Sequence, residues 1–491
     1  MRGSGSSRRK SLKYEAIKSA LLRVVGTENF SENFIEIPSI HLETYADVTD
    51  NRAAMKNRKF VVRPKGIQEV IKVMKIAEKF NVAVVPVAGS TSFYVSGGPV
   101  PISKLSIMID LRLMNKIIEL DERAGTVTVQ AGLTIKRLKE YLAAANLWYA
   151  HLPESMQSAT VGGAISVNGI SPFSTKYGRG GEQFVKLKVV LADGSVCDVG
   201  NRTNFDNSIS FKKLFSASEG ALGIIVEATL KVYGIPAVRT CKLYGFSKID
   251  DACQAVKDIS EAGLCPEVVM MPSKERIYNE AMLSIVDPDP RTLEQREYFL
   301  FVVYAGEESL VRFSVDKTMV IVRALGGNIV ADERVADSYW RNLTEIGAVV
   351  TEQMAKKYKG LKYNSIRPGV PLGTLPGLVN EVMESFPRFS HLTYCGVTSY
   401  IFLPELDALP IFGMLLDDEN QRAVAEFNDF LRVVTKACKT LDGTIAAVGG
   451  FGTMLSKFTS QEMGSSEHLV RAIKESFDPH GLMNPGKMLP R

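Results

Sequence analysis

Residues 152–177, LPESMQSATVGGAISVNGISPFSTKY, constrain the fold more than any other stretch of the chain. A Leu-Pro pair opens the run. The Gly162-Gly163 pair inside it lets backbone pass close to a bulky partner where a Cβ would clash. Ser158, Thr160 and Asn168 add short polar side chains that can bond a ligand without filling the space. Taken alone, the stretch has two readings. It lies along a large planar, phosphate-bearing cofactor, or it is a glycine-containing turn ahead of a buried strand.

Two more bends of the same kind bear on that choice. Residues up to 56 read as a helical lead-in, with apolar positions at helical spacing over 14–25. A strand at 60–62, an amphipathic helix at 67–80 and a strand at 82–87 follow, the helix placing Val70, Ile71, Val73, Met74 and Ala77 on one face. This unit ends in Ala88-Gly89-Ser90-Thr91-Ser92, then Ser96-Gly97-Gly98-Pro99, a loop whose N–H groups can converge on a pyrophosphate. It is neither GxGxxG nor GxxxxGK[ST], so neither the Rossmann nor the P-loop rule applies. Strands at 106–111, 117–120 and 126–130, a helix at 135–145 and strands at 184–191 and 196–199 come next. A third small-residue bend, SASEGALG at 216–223, runs into a strand at 224–232. Three such bends in one α+β region are far less expected by chance than one.

Composition narrows the classes. A chain of 491 residues suggests two or three domains. A net charge of +5 suits an anionic substrate or a membrane surface and gives no argument for nucleic acid. No apolar run reaches the ~18 residues of a spanning helix. The start, MRGSGSSRRKSLK, lacks the apolar core of a secretory signal and reads as a basic tail. Six scattered cysteines without CxxC argue against an iron–sulfur cluster or zinc knuckle and suit reduced thiols. The expectation is a cytoplasmic protein, with peripheral membrane contact left open.

With these bends the chain resembles the FAD-binding domain of flavoproteins of the vanillyl-alcohol-oxidase, or para-cresol-methylhydroxylase (PCMH), type. Within that family it is most similar to the D-lactate dehydrogenase and glycolate oxidase FAD-subunit branch. The matching residues are Val85-Pro86 through Gly98, Leu152-Pro153 with 159–163, Lys176-Tyr177-Gly178, 190–194, 218–225 and the closing FDPHGLMNPGK at 477–487. The resemblance implies an α+β fold. A two-subdomain PCMH-type FAD-binding domain at 57–235 follows the lead-in at 1–56. An α/β cap domain with an antiparallel sheet spans 236–440, and a C-terminal segment at 441–491 returns to the FAD site. Pro86 would stand at the first bend, where Gly89, Ser90, Thr91 and Ser92 hold the pyrophosphate. Pro153, Ser158, Ala159, Thr160, Gly162, Gly163 and Asn168 would line the flavin and ribityl chain. Glu219, Gly220, Gly223 and Ile225 would meet the adenine half, and Asn484 the isoalloxazine ring. Ala88 and Ser90 stand where relatives commonly carry glycine. No His lies in the first loop, so the FAD is expected to be non-covalent, although His151 is near.

The implied reaction is oxidation of a 2-hydroxy acid, D-lactate or glycolate-like, by hydride transfer to flavin N5. Electrons would pass to a separate acceptor such as a quinone, a dye or a redox protein. Arg367 and Lys362 are candidates for the substrate carboxylate, since an Arg fork matches both oxygens. Arg341 is a weaker one. The branch's GHxGDGNxH metal motif is here SHLTYCGVTSY at 390–400, so no metal is expected. Its Glu-His-Gly-x-Gly is replaced by AVGGFG at 447–452. His391 is then the remaining candidate base, with Tyr400 near it in sequence, although a His bonded into the cap sheet is an equal reading. His41, His151, His468 and His480 read as structural. Two alternatives stand beside this reaction: a non-catalytic flavin-binding subunit of a larger dehydrogenase, and a transferase like alkyl-dihydroxyacetonephosphate synthase. A homodimer is left open.

Overall fold

A computed structural model describes residues 4–33, 46, 48, 49, 54–92, 98, 100–201, 210–277, 296–330, 340, 358, 360–403 and 405–489. His41, Ser96, Gly97, Pro99 and Arg341 lie outside the described residues. Helix α1 (Ser4–Val25) packs over a four-stranded sheet through Ile17, Leu21 and Val25. The sheet joins β1 (Phe30–Ser31), β2 (Arg58–Val62), β3 (Ala83–Val87) and β4 (Leu105–Asp110) in the order β1-β2-β4-β3. Both β2 and β3 run parallel to β4, so the chain must cross over between β2 and β3. Helix α2 (Ile67–Phe80) makes that crossover. It buries Val70, Val73, Met74 and Ala77 at helical spacing and stops at Asn81, which takes a left-handed conformation.

The second sheet is antiparallel, ordered β5-β6-β10-β8-β9. Its strands β5 (Ile117–Asp121) and β6 (Thr126–Gln130) precede helix α3 (Ile135–Ala143), the short strand β7 (Leu147–Trp148) and helix α4 (Val161–Ser166). Strands β8 (Phe184–Val190), β9 (Val196–Gly200) and β10 (Ile224–Lys231) complete it, and β11 (Tyr233–Gly234) pairs with β7. The run after Gly162-Gly163 is therefore a helix and not the buried strand of the plainer reading. Thr160 caps it, its Oγ1 accepting from Gly163 N at 3.4 Å.

The C-terminal half centres on an eight-stranded antiparallel sheet. Its strands are β12 (Val238–Phe246), β13 (Val268–Pro272), β14 (Tyr298–Gly306), β15 (Asn328–Ile329), β16 (Lys362–Ile366), β17 (Val370–Pro371), β18 (Thr393–Phe402) and β19 (Asp407–Leu416). They run in the order β15-β12-β14-β13-β18-β19-β16, with β17 paired to β19. Helices α5 (Ile249–Glu261), α6 (Glu308–Ala324), α7 (Leu375–Ser385) and α8 (Gln421–Thr440) contribute the apolar layer on one face. Side chains alternate across a strand, so β14 shows both faces at once. Leu300, Val302 and Tyr304 join the helical core, whereas Phe299, Phe301 and Val303 join the core of the N-terminal domain. Both faces are buried, which explains why YFLFVVYAG reads as a continuous apolar run. Helix α9 (Glu467–Phe477) then leads the chain back to the first sheet.

Candidate functional site

The bends converge, and glycines mark where. A Cβ on Gly89 would stand 2.2 Å from the Ser158 carbonyl oxygen and 2.9 Å from Ala159 Cα, so the first bend lies directly on the central stretch. A Cβ on Gly163 would meet Ala88 at 3.1 Å. The third bend closes on both: Glu219 N donates to Ser166 O at 2.9 Å, and a Cβ on Gly220 would stand 2.9 Å from Pro86 Cγ. The C-terminal turn adds a parallel bridge beside β3. Val84 N donates to Leu482 O at 2.8 Å and Asn484 N to Val84 O at 2.7 Å. Ser90, Glu219 and Asn484 hold φ angles of 57°, 53° and 41°, a conformation non-glycine residues keep only where the surroundings enforce it.

These segments enclose a cavity of about 430 Å³. The residues assigned to FAD in the first bend, the central stretch through Gly163 and the third bend all lie in its wall, with Pro86 and Asn484. Asn168 does not. Its Oδ1 accepts from Gly181 N at 3.1 Å, and the residue lines a neighbouring cavity instead. Glu219 and Asn484 were expected at opposite ends of the dinucleotide, yet Asn484 Nδ2 donates to Glu219 O at 2.5 Å. They stand side by side in the wall.

The wall fits a large phosphate-bearing cofactor. Backbone faces the cavity where the glycines leave room. Ser90 Oγ, Ser171 Oγ and Asn484 Oδ1 are buried at the wall with no hydrogen-bond partner among the described residues. Charge is managed by burial. Lys487, wholly buried, is pushed down to about 8 by desolvation, with the Glu219 charge opposing that fall. Burial raises the Glu219 carboxyl, against Lys487 and the backbone N–H of Gly452, which donates to its Oε1 at 3.0 Å.

The C-terminal sheet supplies the opposite wall. Arg367, just beyond β16, and Tyr400, on β18, both reach the cavity. Arg367 Nε donates to Ser365 Oγ at 2.9 Å, and the Tyr400 hydroxyl donates across the domain boundary to Glu154 Oε1 at 3.4 Å. The structure does not bring His391 or Lys362 there. His391 Nδ1 lies 2.7 Å from Glu426 Oε1 of α8, near the surface, and Lys362 Nζ pairs with Asp418 Oδ1 at 2.8 Å. Each is held by its own carboxylate outside the cavity wall. Sequence reasoning passed over Glu154, Lys487 and, as a wall residue, His151. The signal for Glu154 was that it is the one acidic residue of the stretch 152–177. Among the described residues no three His, Cys, Asp or Glu side chains cluster as metal ligands.

Comparison with known proteins agrees with this geometry. The family description "FAD binding domain" matches residues 59–200, and "FAD linked oxidases, C-terminal domain" matches residues 235–488. A probable mitochondrial D-lactate dehydrogenase of Danio rerio is 26% identical, over 99% of this chain and 94% of its own length. The glycolate oxidase subunit GlcD of Bacillus subtilis is 25% identical, over 96% of each chain. The alkyldihydroxyacetonephosphate synthase of Dictyostelium discoideum is 28% identical, over 88% of this chain and 73% of the synthase. In fold, p-cresol methylhydroxylase with substrate bound superposes with a TM-score of 0.78 at 16% identity, over 97% of each chain. With the second family match alone spanning more than half of its residues, the chain belongs to the FAD-linked oxidases, and FAD is its cofactor.

Proposed function

We propose that the chain oxidises a small 2-hydroxy acid of the lactate or glycolate kind and passes the electrons to a separate acceptor. The observation that carries this reading is the two-sided wall. Three small-residue bends and the Asn484 turn form one side, and a cation and a phenol from the other domain, Arg367 and Tyr400, form the other. FAD, when bound, supplies the two-electron acceptor. The small-residue bends and Asn484 hold it. Arg367 takes the substrate carboxylate, to which its planar fork is matched. The cap sheet covers the site and keeps water from it. The cofactor is held without a covalent bond, so acid precipitation should leave the flavin in the supernatant.

Anaerobic addition of D-lactate, glycolate and 2-hydroxyglutarate in turn tests the substrate class. At least one should bleach the oxidised-flavin absorbance. Arg367→Met should raise the KM for that acid by about 10- to 100-fold, the effect of losing a hydrogen bond to a charged group, and leave the FAD content unchanged. The likeness to the Dictyostelium synthase supports a second reading, transfer without net oxidation. Flavin that stays oxidised with all three acids would favour it.

A further inference from the structure

An alcohol that loses a hydride must also lose its hydroxyl proton, and the expected acceptor, His391, lies elsewhere. The wall offers few replacements. Its described titratable and charged groups are His151, Glu154, Glu219, Arg367, Tyr400 and Lys487. His151 lines the wall too, but both its ring nitrogens are buried and desolvation opposes the charged form that taking a proton would create. Glu219 is wholly buried, takes the Gly452 N–H and faces Lys487. Arg367 remains protonated in proteins and serves the carboxylate. Glu154 differs from all of these. It is half-buried, it follows Pro153 in the central stretch, and its Oε1 accepts the hydroxyl of Tyr400. Among the described residues that is its hydrogen bond, and its second oxygen is uncommitted.

We infer that Glu154 is the proton acceptor of the reaction, and that Tyr400 is a positioning residue holding its carboxylate from the cap side. The inference rests on the hydroxy-acid reading. The substrate O–H bond breaks as its proton passes to Glu154, and the C–H bond breaks as its electron pair leaves with the hydrogen for the FAD. The carbinol carbon becomes a carbonyl, so the acid is oxidised to the 2-oxo acid while the FAD is reduced. Carboxylate and phenol come from different domains, so this arrangement exists only when the cap is seated.

The test uses the holoprotein. Glu154→Gln keeps the shape and removes the base. It should slow anaerobic bleaching about 100- to 10,000-fold, the usual contribution of a general base. The rise of the rate with pH on the acid side, present in the unaltered protein, should vanish. Tyr400→Phe should keep that rise and slow the reaction less. Oxalate, which has no hydrogen to give up, reads the same group at equilibrium through the flavin spectrum. It should bind Glu154→Gln more tightly than the unaltered protein, because the amide carries no charge to oppose the second carboxylate. Bleaching by Glu154→Gln at the original rate with the original acid limb overturns the assignment alone. Failure of all three acids to bleach the unaltered protein overturns it together with the substrate reading. Should Glu154→Gln lose its FAD, Glu154→Asp replaces it: a slower reaction that keeps the acid limb supports the assignment, and loss of that limb overturns it.

Discussion

His151 shows what burial does to one residue. Its ring is fully buried, with the Tyr149 ring at 6.0 Å, and a Cβ on Gly180 would stand 3.0 Å from its Nε2. Neither nitrogen has a partner among the described residues, and desolvation holds the imidazolium down to about 4. An unfolded chain takes up the proton near 6.5, the folded one only near 4. Across that window the unfolded state binds more protons, so folding stability is intact above it and drains away as the pH falls through it. The loss is about 3 kcal/mol by the time the lower value is passed. His151→Phe keeps a ring of similar size that does not titrate. Denaturant unfolding of the FAD-free protein between pH 4 and 7 should show a shallower acid decline in the variant; equal slopes would refute it. At this scale the sequence was readable where the chemistry is local. Gly89, Gly163 and Gly220 announce close backbone approach by themselves. The fate of His391 was not readable, because its partner Glu426 is 35 residues away and nothing in the intervening chain signals the meeting.

The closing segment is an element that works through one lysine and one aspartate. Asp478, just past α9, accepts from Leu482 N and Met483 N, both at 2.8 Å, and pairs with Lys474. Lys474 Nζ also donates to Ala221 O of the third bend at 2.6 Å and to Met483 O at 3.0 Å. The last helix thus ties the third bend to the turn that carries Asn484. Asp478→Ala would leave two backbone N–H groups without their acceptor and the largely buried Lys474 ammonium without its counter-charge, a loss of about 3 kcal/mol. On slow heating, flavin fluorescence should appear at a lower temperature in the variant than in the unaltered protein. Identical release temperatures would show that the turn is not held this way. The motif at 477–487 was legible by its likeness to a family pattern, and the strand–helix–strand unit by its periodicity. Helix α4 was not, because six residues of VGGAIS carry too little period to separate helix from strand. What decides it is tertiary: Val161 N and Gly162 N donate to Leu133 O and Ala131 O, fixing its first turn against the segment that follows β6.

At the scale of the molecule the two domains share a core, so neither sheet is finished without the other. Phe299, Phe301 and Val303 pack with Trp148 and Phe173 of the N-terminal domain, and this joint core continues into a polar junction. Glu267, fully buried ahead of β13, accepts from Arg239 Nε at 2.7 Å and from the Tyr177 hydroxyl at 3.1 Å. The Arg239 guanidinium lies over the rings of Trp148 and Trp340, 4.7 and 5.6 Å from their centres. Burial and the Glu267 charge together push the Tyr177 phenol up. One carboxylate therefore serves a cation from β12 and a phenol from the segment after α4, and Thr175 beside it bonds Val269 N and Leu403 N. Glu267→Gln keeps the volume but leaves Arg239 partly buried without its counter-charge, which costs about 3 kcal/mol. The shared core makes unfolding cooperative across the boundary, so calorimetry should show one transition in both proteins, displaced to lower temperature in the variant. Flavin release should move with it, because the cavity wall draws Arg367 and Tyr400 from one domain and the FAD-holding bends from the other. Two separate transitions, with only the cap displaced and the flavin retained, would mean that the junction positions the cap without joining its stability to that of the cofactor site.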